Sequence, residues 1–516
     1  MEANRRYLVK VMYVCLIVFV SIFTTLYVTL FEINSDVAFL VYMAKNTGWK
    51  ELYADFYEVN PPLIVYLYKL FLTPSDMGLL SDISAIRIGT TIYFLICLFL
   101  VYQLLRLVSK NALLITFCAS LALFTIYPLA YSQREHFVAA GLVVYICNVW
   151  SSGPATRYGL VRLMSTLVAA IGFCLKPQYL VVMFLIEFMM IWKGRITIRY
   201  KDVLLISMWG IFYIFSVYYF NSGYIYTIIP ISFDYYTQYK TSKSELVSVA
   251  SGLAITVLPC YIFMRGIKWE SEYVVLLAIG ILATLVAYAS AGTGFGYHLI
   301  PAITLSSTML YSAGIIAIKG LVAGKRTINM ILLIISLVPL SFLHAPYFRS
   351  IDLFMFKPSV DRLFAINQEL SDDMIVDEEL LLLSEELSQM TEEGDGILVL
   401  ATTAMYPHHA IVMHSKLTWA SSFPNFWLLP AEVNYDASSA SQQAHIENIR
   451  SLVFRDLLDY KPKIIIFAHQ KDNSTHSLTL LMEDTNIAQK LSTYEFHIKM
   501  PADDLDYFIY SNHGNK

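Results

Sequence analysis

The sequence predicts a polytopic α-helical membrane protein with about eleven transmembrane helices, followed by a C-terminal soluble α/β domain. Three observations lead to that class. Of the 516 residues, 57% are hydrophobic and only 15% are charged, where soluble domains run at about 45–50% and about 25%. The charges are sorted along the chain. Residues 1–350 hold 25 Lys+Arg and 15 Asp+Glu, net +10, whereas residues 351–516 hold 11 and 25, net −14. Finally, apolar runs recur through the first part, most of them close to the roughly 20 residues that cross about 30 Å of hydrocarbon.

The runs fall at 10–31, 85–105, 112–130, 136–151, 160–175, 177–192, 203–222, 247–264, 272–290, 298–318 and 328–346. The first is too long for a signal-peptide core and lacks a small-residue cleavage site, so it reads as a retained span. The apolar piece at 61–73 is too short to cross and reads as interfacial or re-entrant. All six cysteines lie in apolar segments, so no disulfide framework is expected in the rear domain.

Lys and Arg orient the spans. With the N-terminus inside, the inner loops carry 16 basic residues and the outer positions ahead of the last span carry eight, among them Arg134 and Lys176. Eleven spans then place the rear domain outside. The expected organisation is a transmembrane catalytic domain at 1–350, with a long first outer loop at 32–84, and an extracytoplasmic domain at 351–516. The basic charge of the front half sits between apolar spans and points to membrane lipids, not to nucleic acid. In the rear domain, 353–394, 440–459 and 477–491 read as helices, and Ile397–Ala401, Lys463–Phe467, Tyr494–Met500 and Asp506–Ser511 as strands. His408, His409 and His414 match no metal-ligand spacing and read as surface histidines.

Five outer stretches carry candidate chemistry: Asn34-Ser35-Asp36 after the first span; Tyr53 to Leu63, with Asp55, Glu58 and Asn60-Pro61-Pro62; Gln133-Arg134-Glu135-His136; Lys176-Pro177-Gln178; and Gly294-Phe295-Gly296-Tyr297-His298 to Pro301. In this order, on one side of the membrane, they resemble the GT-C glycosyltransferases, a superfamily that includes protein O-mannosyltransferases and the bacterial aminoarabinose transferase. The resemblance covers roughly residues 10–346, and Arg87 sits like that family's Ala-Arg at the second helix. Two details depart from the pattern: His136 follows the Arg-acid pair, and His298 follows Tyr297.

The resemblance implies transfer of one sugar, hexosyl or pentosyl, from a polyprenyl-phosphate donor to a glycan, lipid or protein acceptor. It implies Asp36 and Glu135 as catalytic acids, and Arg134, Lys176, Tyr297 and His298 around the donor phosphate. Asp55, Glu58 and Asn60 would support the loop or the acceptor. The chemistry is consistent: a phosphate leaving group needs cations, and an acceptor hydroxyl needs a base. No cofactor is required by this reading, and a divalent metal stays open as an addition. The alternatives are a transporter or flippase, and a polymerase or ligase of lipid-linked glycans. Two features have ordinary explanations beside the functional ones. Gly292–Gly296 reads as a turn and not a phosphate loop. The Tyr-rich segment Asn221–Lys243 is either a cover over sugar or an interfacial tyrosine belt.

Overall fold

The computed structural model describes residues 2–29, 33–125, 130–152, 159–233, 241–324, 326–344, 378–401, 409, 411–412, 415–424, 440–470, 481–501 and 505–512. The helices before residue 344 are α1 (Glu2–Val28), α2 (Ser35–Asn46), α3 (Pro62–Asp76), α4 (Asp82–Leu105), α5 (Ala112–Phe124), α6 (Arg134–Trp150), α7 (Leu160–Leu175), α8 (Leu180–Trp192), α9 (Ile196–Phe220), α10 (Lys243–Gly266), α11 (Ser271–Ala291), α12 (Ile300–Val322) and α13 (Arg326–Leu343). Each of the eleven expected spans meets one helix, and α2 and α3 lie in the first outer loop. Six of the described helices are long and apolar enough to cross a membrane, and shorter apolar helices accompany them.

By compactness the described chain forms two units, and the division crosses α3 and α9. One comprises residues 1–31, 67–216 and 240–373; the other comprises 32–66, 217–239 and 374–516. In the first unit α6 is the central helix, buried at every residue from Glu135 to Trp150. It meets α7 at two glycines: a Cβ on Gly141 would lie 3.1 Å from the Val168 carbonyl oxygen and 3.2 Å from Gly172 Cα. Only glycine permits that backbone approach. By contrast, α9 leaves Phe212, Phe215 and Tyr219 exposed, as a helix facing lipid does.

At the other end of α6 from Glu135 the structure corrects the sequence reading. Arg162 and Arg199, two of the 16 basic residues counted in the inner loops, are buried in an ionic network. Arg162 Nε donates to Asp202 at 3.0 Å. Arg199 donates to Glu187 at 2.6 Å, to Asn148 at 2.9 Å and also to Asp202. Tyr145 donates to the same Glu187 oxygen at 2.8 Å. The network ties the start of α9 to α6, α7 and α8 by charge. Breaking such a buried network by removing one partner costs about 3–5 kcal/mol. Asp202→Ala, which leaves two buried guanidiniums short of an anion, is expected to lower the thermal unfolding temperature of the detergent-solubilised protein markedly. An unchanged midpoint would mean that water or lipid phosphate replaces the carboxylate.

The C-terminal part of the second unit is a five-stranded sheet with helices. Its elements are α14 (Glu378–Met390), β1 (Gly396–Ala401), β2 (Thr418–Trp419), α15 (Ala440–Asp459), β3 (Ile464–Gln470), α16 (Thr485–Leu491), β4 (Glu495–Pro501) and β5 (Leu505–Ser511). The order is β2-β1-β3-β5-β4. The first three strands are parallel, and β5 runs antiparallel to both β3 and β4. Ile464, Ile465 and Ile466 are fully buried, as a central strand covered on both faces requires. The expected terminal hairpin is β4–β5. The helix expected over 477–491 is interrupted: Asp484 accepts from the backbone N–H groups of Asn486 and Ile487 and starts α16 anew. Most of the helix expected over 353–394 lies outside the described residues; its described part is α14.

Candidate functional site

Three chain segments of the first unit meet around Glu135. The first enters α6. Gln133 is its N-cap residue, and Glu135 sits in the first turn, where a negative charge faces the positive end of the helix dipole. The second is the break between α7 and α8. Lys176 is extended there, at φ −146 and ψ 92, and Pro177 starts a single 3₁₀ turn. Proline cannot continue α7, so the chain swings out and the lysine turns inward. The third is the turn between α11 and α12, where Gly292 and Gly294 take φ +75 and +70 and lead into a 3₁₀ turn, Gly296–Leu299.

The side chains converge on one carboxylate oxygen. Glu135 Oε1 accepts from the Lys176 ammonium. It also accepts from Arg134 Nε at 3.2 Å. His298 Nε2 lies 3.8 Å from it. Glu135, Lys176 and His298 are all buried, at 1%, 5% and 3% exposure, so none of the three is a side chain snorkelling to water. Lys176 Nζ also lies 5.5 Å from the centre of the Tyr297 ring. Among the described residues the cluster therefore holds two cations, one carboxylate and one imidazole.

His298 is oriented by its surroundings. Its Nδ1 lies 3.2 Å from Thr293 Oγ1. Its backbone carbonyl accepts from the Tyr179 hydroxyl at 2.7 Å. Its Nε2 makes no hydrogen bond among the described residues. The turn carrying it is pinned by Thr241, whose N–H donates to Gly292 O at 2.8 Å and whose hydroxyl donates to Thr293 O at 2.9 Å. A Cβ on Gly294 would collide with that Thr241 side chain, and the left-handed backbone alone costs a non-glycine residue about 1–2 kcal/mol. Gly294→Ala is expected to lower the unfolding midpoint by about that amount of stability and to displace His298. Wild-type thermal stability in this variant would show that the turn re-forms without glycine.

The other side of Glu135 rests on Ser132, a buried residue held at φ +72. Arg87 donates to the Tyr131 carbonyl at 2.7 Å, Tyr68 to the Ser132 carbonyl at 2.5 Å and Thr90 to Ser132 Oγ at 2.9 Å. Strain of this kind persists only where neighbours over-determine it. Here α3 and α4 fix the two residues that aim Arg134 and Glu135. His136, next in the chain, is buried and hydrogen-bonds to the Leu123 carbonyl at 2.7 Å, which joins α6 to α5.

No family model matches the sequence, and no curated protein matches it. Among solved structures, the chain is similar to the crystal structure of ArnT from Cupriavidus metallidurans bound to undecaprenyl phosphate. The likeness covers 97% of this chain and 98% of that one, with a TM-score of 0.53 at 10% sequence identity. The fold is GT-C-like. With its apolar helices, that fold makes the chain an integral membrane protein.

Of the residues expected at the site, the GT-C-like fold brings Arg134, Glu135, Lys176, Tyr297 and His298 together. Asp36, Asp55, Glu58 and Asn60 belong to the other compact unit. Asp36 lies in the first turn of α2, and the cap is Asn34, whose side chain accepts from the Asp36 N–H at 2.9 Å. The capping side chain is thus that of Asn34 and not of Ser35 or Asp36. Glu58 accepts from the Asn60 backbone at 2.7 Å and from its side-chain amide at 2.5 Å, and Asp55 is exposed. In the Tyr-rich segment, Tyr224 packs on Tyr53 at 5.0 Å; Asp234, Tyr235, Tyr236 and Tyr239 lie outside the described residues. Among the described residues no group of three side chains has the makings of a metal site. His409 is a correction: it is buried, not on the surface, while His408 and His414 lie outside the described residues. Tyr179, Tyr68 and Ser132 were not singled out by sequence, because each acts through a partner distant in the chain.

Proposed function

We propose that this chain is a membrane glycosyltransferase that moves a single sugar from a polyprenyl-phosphate donor to an acceptor outside the cytoplasm. The observation that carries the reading is the cluster of half-buried Arg134 and buried Lys176 and His298 on Glu135. Two cations side by side supply the charge that a phosphate binds, and His298 Nε2 offers one more polar contact. Buried cations of this kind are functional candidates in membrane proteins. The GT-C-like fold supports the choice of donor, since ArnT was crystallised with undecaprenyl phosphate.

In this reading Asp36 takes the proton of the acceptor hydroxyl as its oxygen attacks the anomeric carbon. The bond from that carbon to the phosphate oxygen breaks, and the polyprenyl phosphate leaves with the electron pair. Arg134 and Lys176 stabilise the charge growing on the phosphate. Glu135, with Oε1 already engaged by two cations, holds them in place, so the base role passes to Asp36 alone. Glu58 and Asn60 shape the first outer loop. The sugar is a hexose or pentose, and the acceptor a glycan, lipid or protein. The transport alternative loses support: Glu187, which lies inside the expected span 177–192, is paired with Arg199.

An inside N-terminus is supported by the basic loops and by the second unit, which joins the first outer loop, 217–239 and the rear domain, all expected outside. Reporter fusions after Lys110, Lys201 and Lys516 should report inside, inside and outside; an inside signal from the last overturns the orientation. The function itself is tested by mass spectrometry of glycans and lipids from a deletion strain. One missing sugar with accumulation of its lipid-linked donor supports transfer; an unchanged glycan and lipid profile overturns it.

A further inference from the structure

In the second unit, a single turn of the rear domain grips the first outer loop. The turn is Ser421-Ser422-Phe423, and a buried carboxylate locks it. Asp456, 1% exposed, accepts from the Ser421 hydroxyl at 2.8 Å, the Ser422 N–H at 2.9 Å and the Ser422 hydroxyl at 2.8 Å. Thus fixed, the Ser422 carbonyl accepts from the Tyr57 N–H at 2.7 Å. The Tyr57 ring stacks on Phe423 with centroids 4.8 Å apart, and the Arg455 guanidinium lies 5.6 Å from the same ring.

The grip extends to α2. The Phe39 ring lies 4.7 Å from the His409 ring, which in turn lies 4.3 Å from Trp419. His409 hydrogen-bonds to the Pro424 carbonyl, and Trp419 Nε1 donates to the Phe423 carbonyl at 2.6 Å. The Tyr42 hydroxyl donates to Trp419 O at 3.3 Å. Phe39 and Tyr42 lie one and two turns along α2 from Asp36. The buried histidine and tryptophan that pack there are anchored to the same turn that Asp456 locks.

We infer that the rear domain positions α2, and with it Asp36, through the turn Ser421–Phe423, with Asp456 and Tyr57 as positioning residues. The inference deepens the transferase reading and rests on Asp36 as its base. It gives the C-terminal domain a task that needs no acceptor site of its own. Three hydrogen bonds to a buried carboxylate are a rigid support, and a base misplaced by about 1 Å loses about a hundredfold in rate.

The test uses the full-length protein in lipid nanodiscs, with two variants: Asp456→Asn, which turns one acceptor oxygen into a donor amide, and Tyr57→Ala, which changes no residue of the rear domain itself should the first fail to fold. Hydrogen–deuterium exchange is followed at 35–46 and in the bundle helices, and transfer kinetics are measured beside Asp36→Asn. We expect protection of 35–46 to fall roughly tenfold with α6 and α7 unchanged. We also expect kcat to drop about ten- to a hundredfold while the KM for the donor stays put. Unchanged exchange at 35–46 in the folded variants overturns the inference whatever the activity. Faster exchange with wild-type kcat also overturns it, provided that Asp36→Asn is inactive. If instead Asp36→Asn keeps full turnover, the base assignment fails, and the exchange result stands as a separate measurement of docking.

Discussion

Asp36→Asn is expected to fold, to bind donor and to transfer sugar at least about a hundredfold more slowly, because general-base catalysis contributes typically 10²–10⁴-fold. The substitution keeps size and polarity and removes only the proton acceptor. The main structural role open to the residue is already filled: Asn34, not Asp36, caps α2. The charge of the carboxylate in the first turn of that helix is worth about 0.3–2 kcal/mol, too little to account for a large rate loss. The measurement is single-turnover transfer from a synthetic polyprenyl-phosphate sugar, with thermal unfolding to certify the fold. Near-normal turnover would remove Asp36 as the base. The base would then be sought at Glu135 or Glu58, or the transferase mechanism would itself need replacing.

What the sequence could and could not reveal follows from where each signal resides. Membrane helices announce themselves locally, because about 20 apolar residues cannot be tolerated in water, and each expected span meets a helix. The order of Asp36, Arg134-Glu135, Lys176-Pro177 and Tyr297-His298 was visible for the same reason: an ionisable group beside an apolar run is conspicuous. Pairing is not local. Arg162 and Arg199 carry the composition of ordinary inner-loop charges, and only the packing of α6 to α9 shows that they are buried against Glu187 and Asp202. His409 looks like a surface residue until Phe39, far away in sequence, and the nearby Trp419 close over it. The strained Ser132 has no sequence signal, since serine rarely adopts positive φ. Its conformation is imposed by Arg87, Tyr68 and Thr90 from two other helices.

Lys176→Ala is expected to produce the other large effect, a loss of about 10²–10³-fold in kcat, the range seen when one preorganised donor to a developing negative charge is deleted. Two explanations for this lysine make different predictions. A lysine that merely snorkels from a helix end has its ammonium in water and can be replaced at little cost. Lys176 is 5% exposed, and its ammonium rests on Glu135, so its removal leaves a buried carboxylate with Arg134 as the one permanent cation bound to it among the described residues. The site then loses a positive charge, which weakens it for a phosphate. Donor affinity should fall together with kcat, and binding of a polyprenyl phosphate without sugar should fall as well, because that ligand presents only the leaving group. Lys176→Arg restores the charge but not the geometry: a planar guanidinium cannot replace a compact ammonium in a space already shared with the Tyr297 ring, so partial recovery is expected. Glu135→Gln separates holding from catalysis. If Glu135 only orients the cations, the glutamine variant retains measurable transfer and binds polyprenyl phosphate, whereas Lys176→Ala loses both. Equal binding of polyprenyl phosphate by wild type and Lys176→Ala would show that the cluster does not receive the phosphate and would return Lys176 to a structural role at the α7–α8 break.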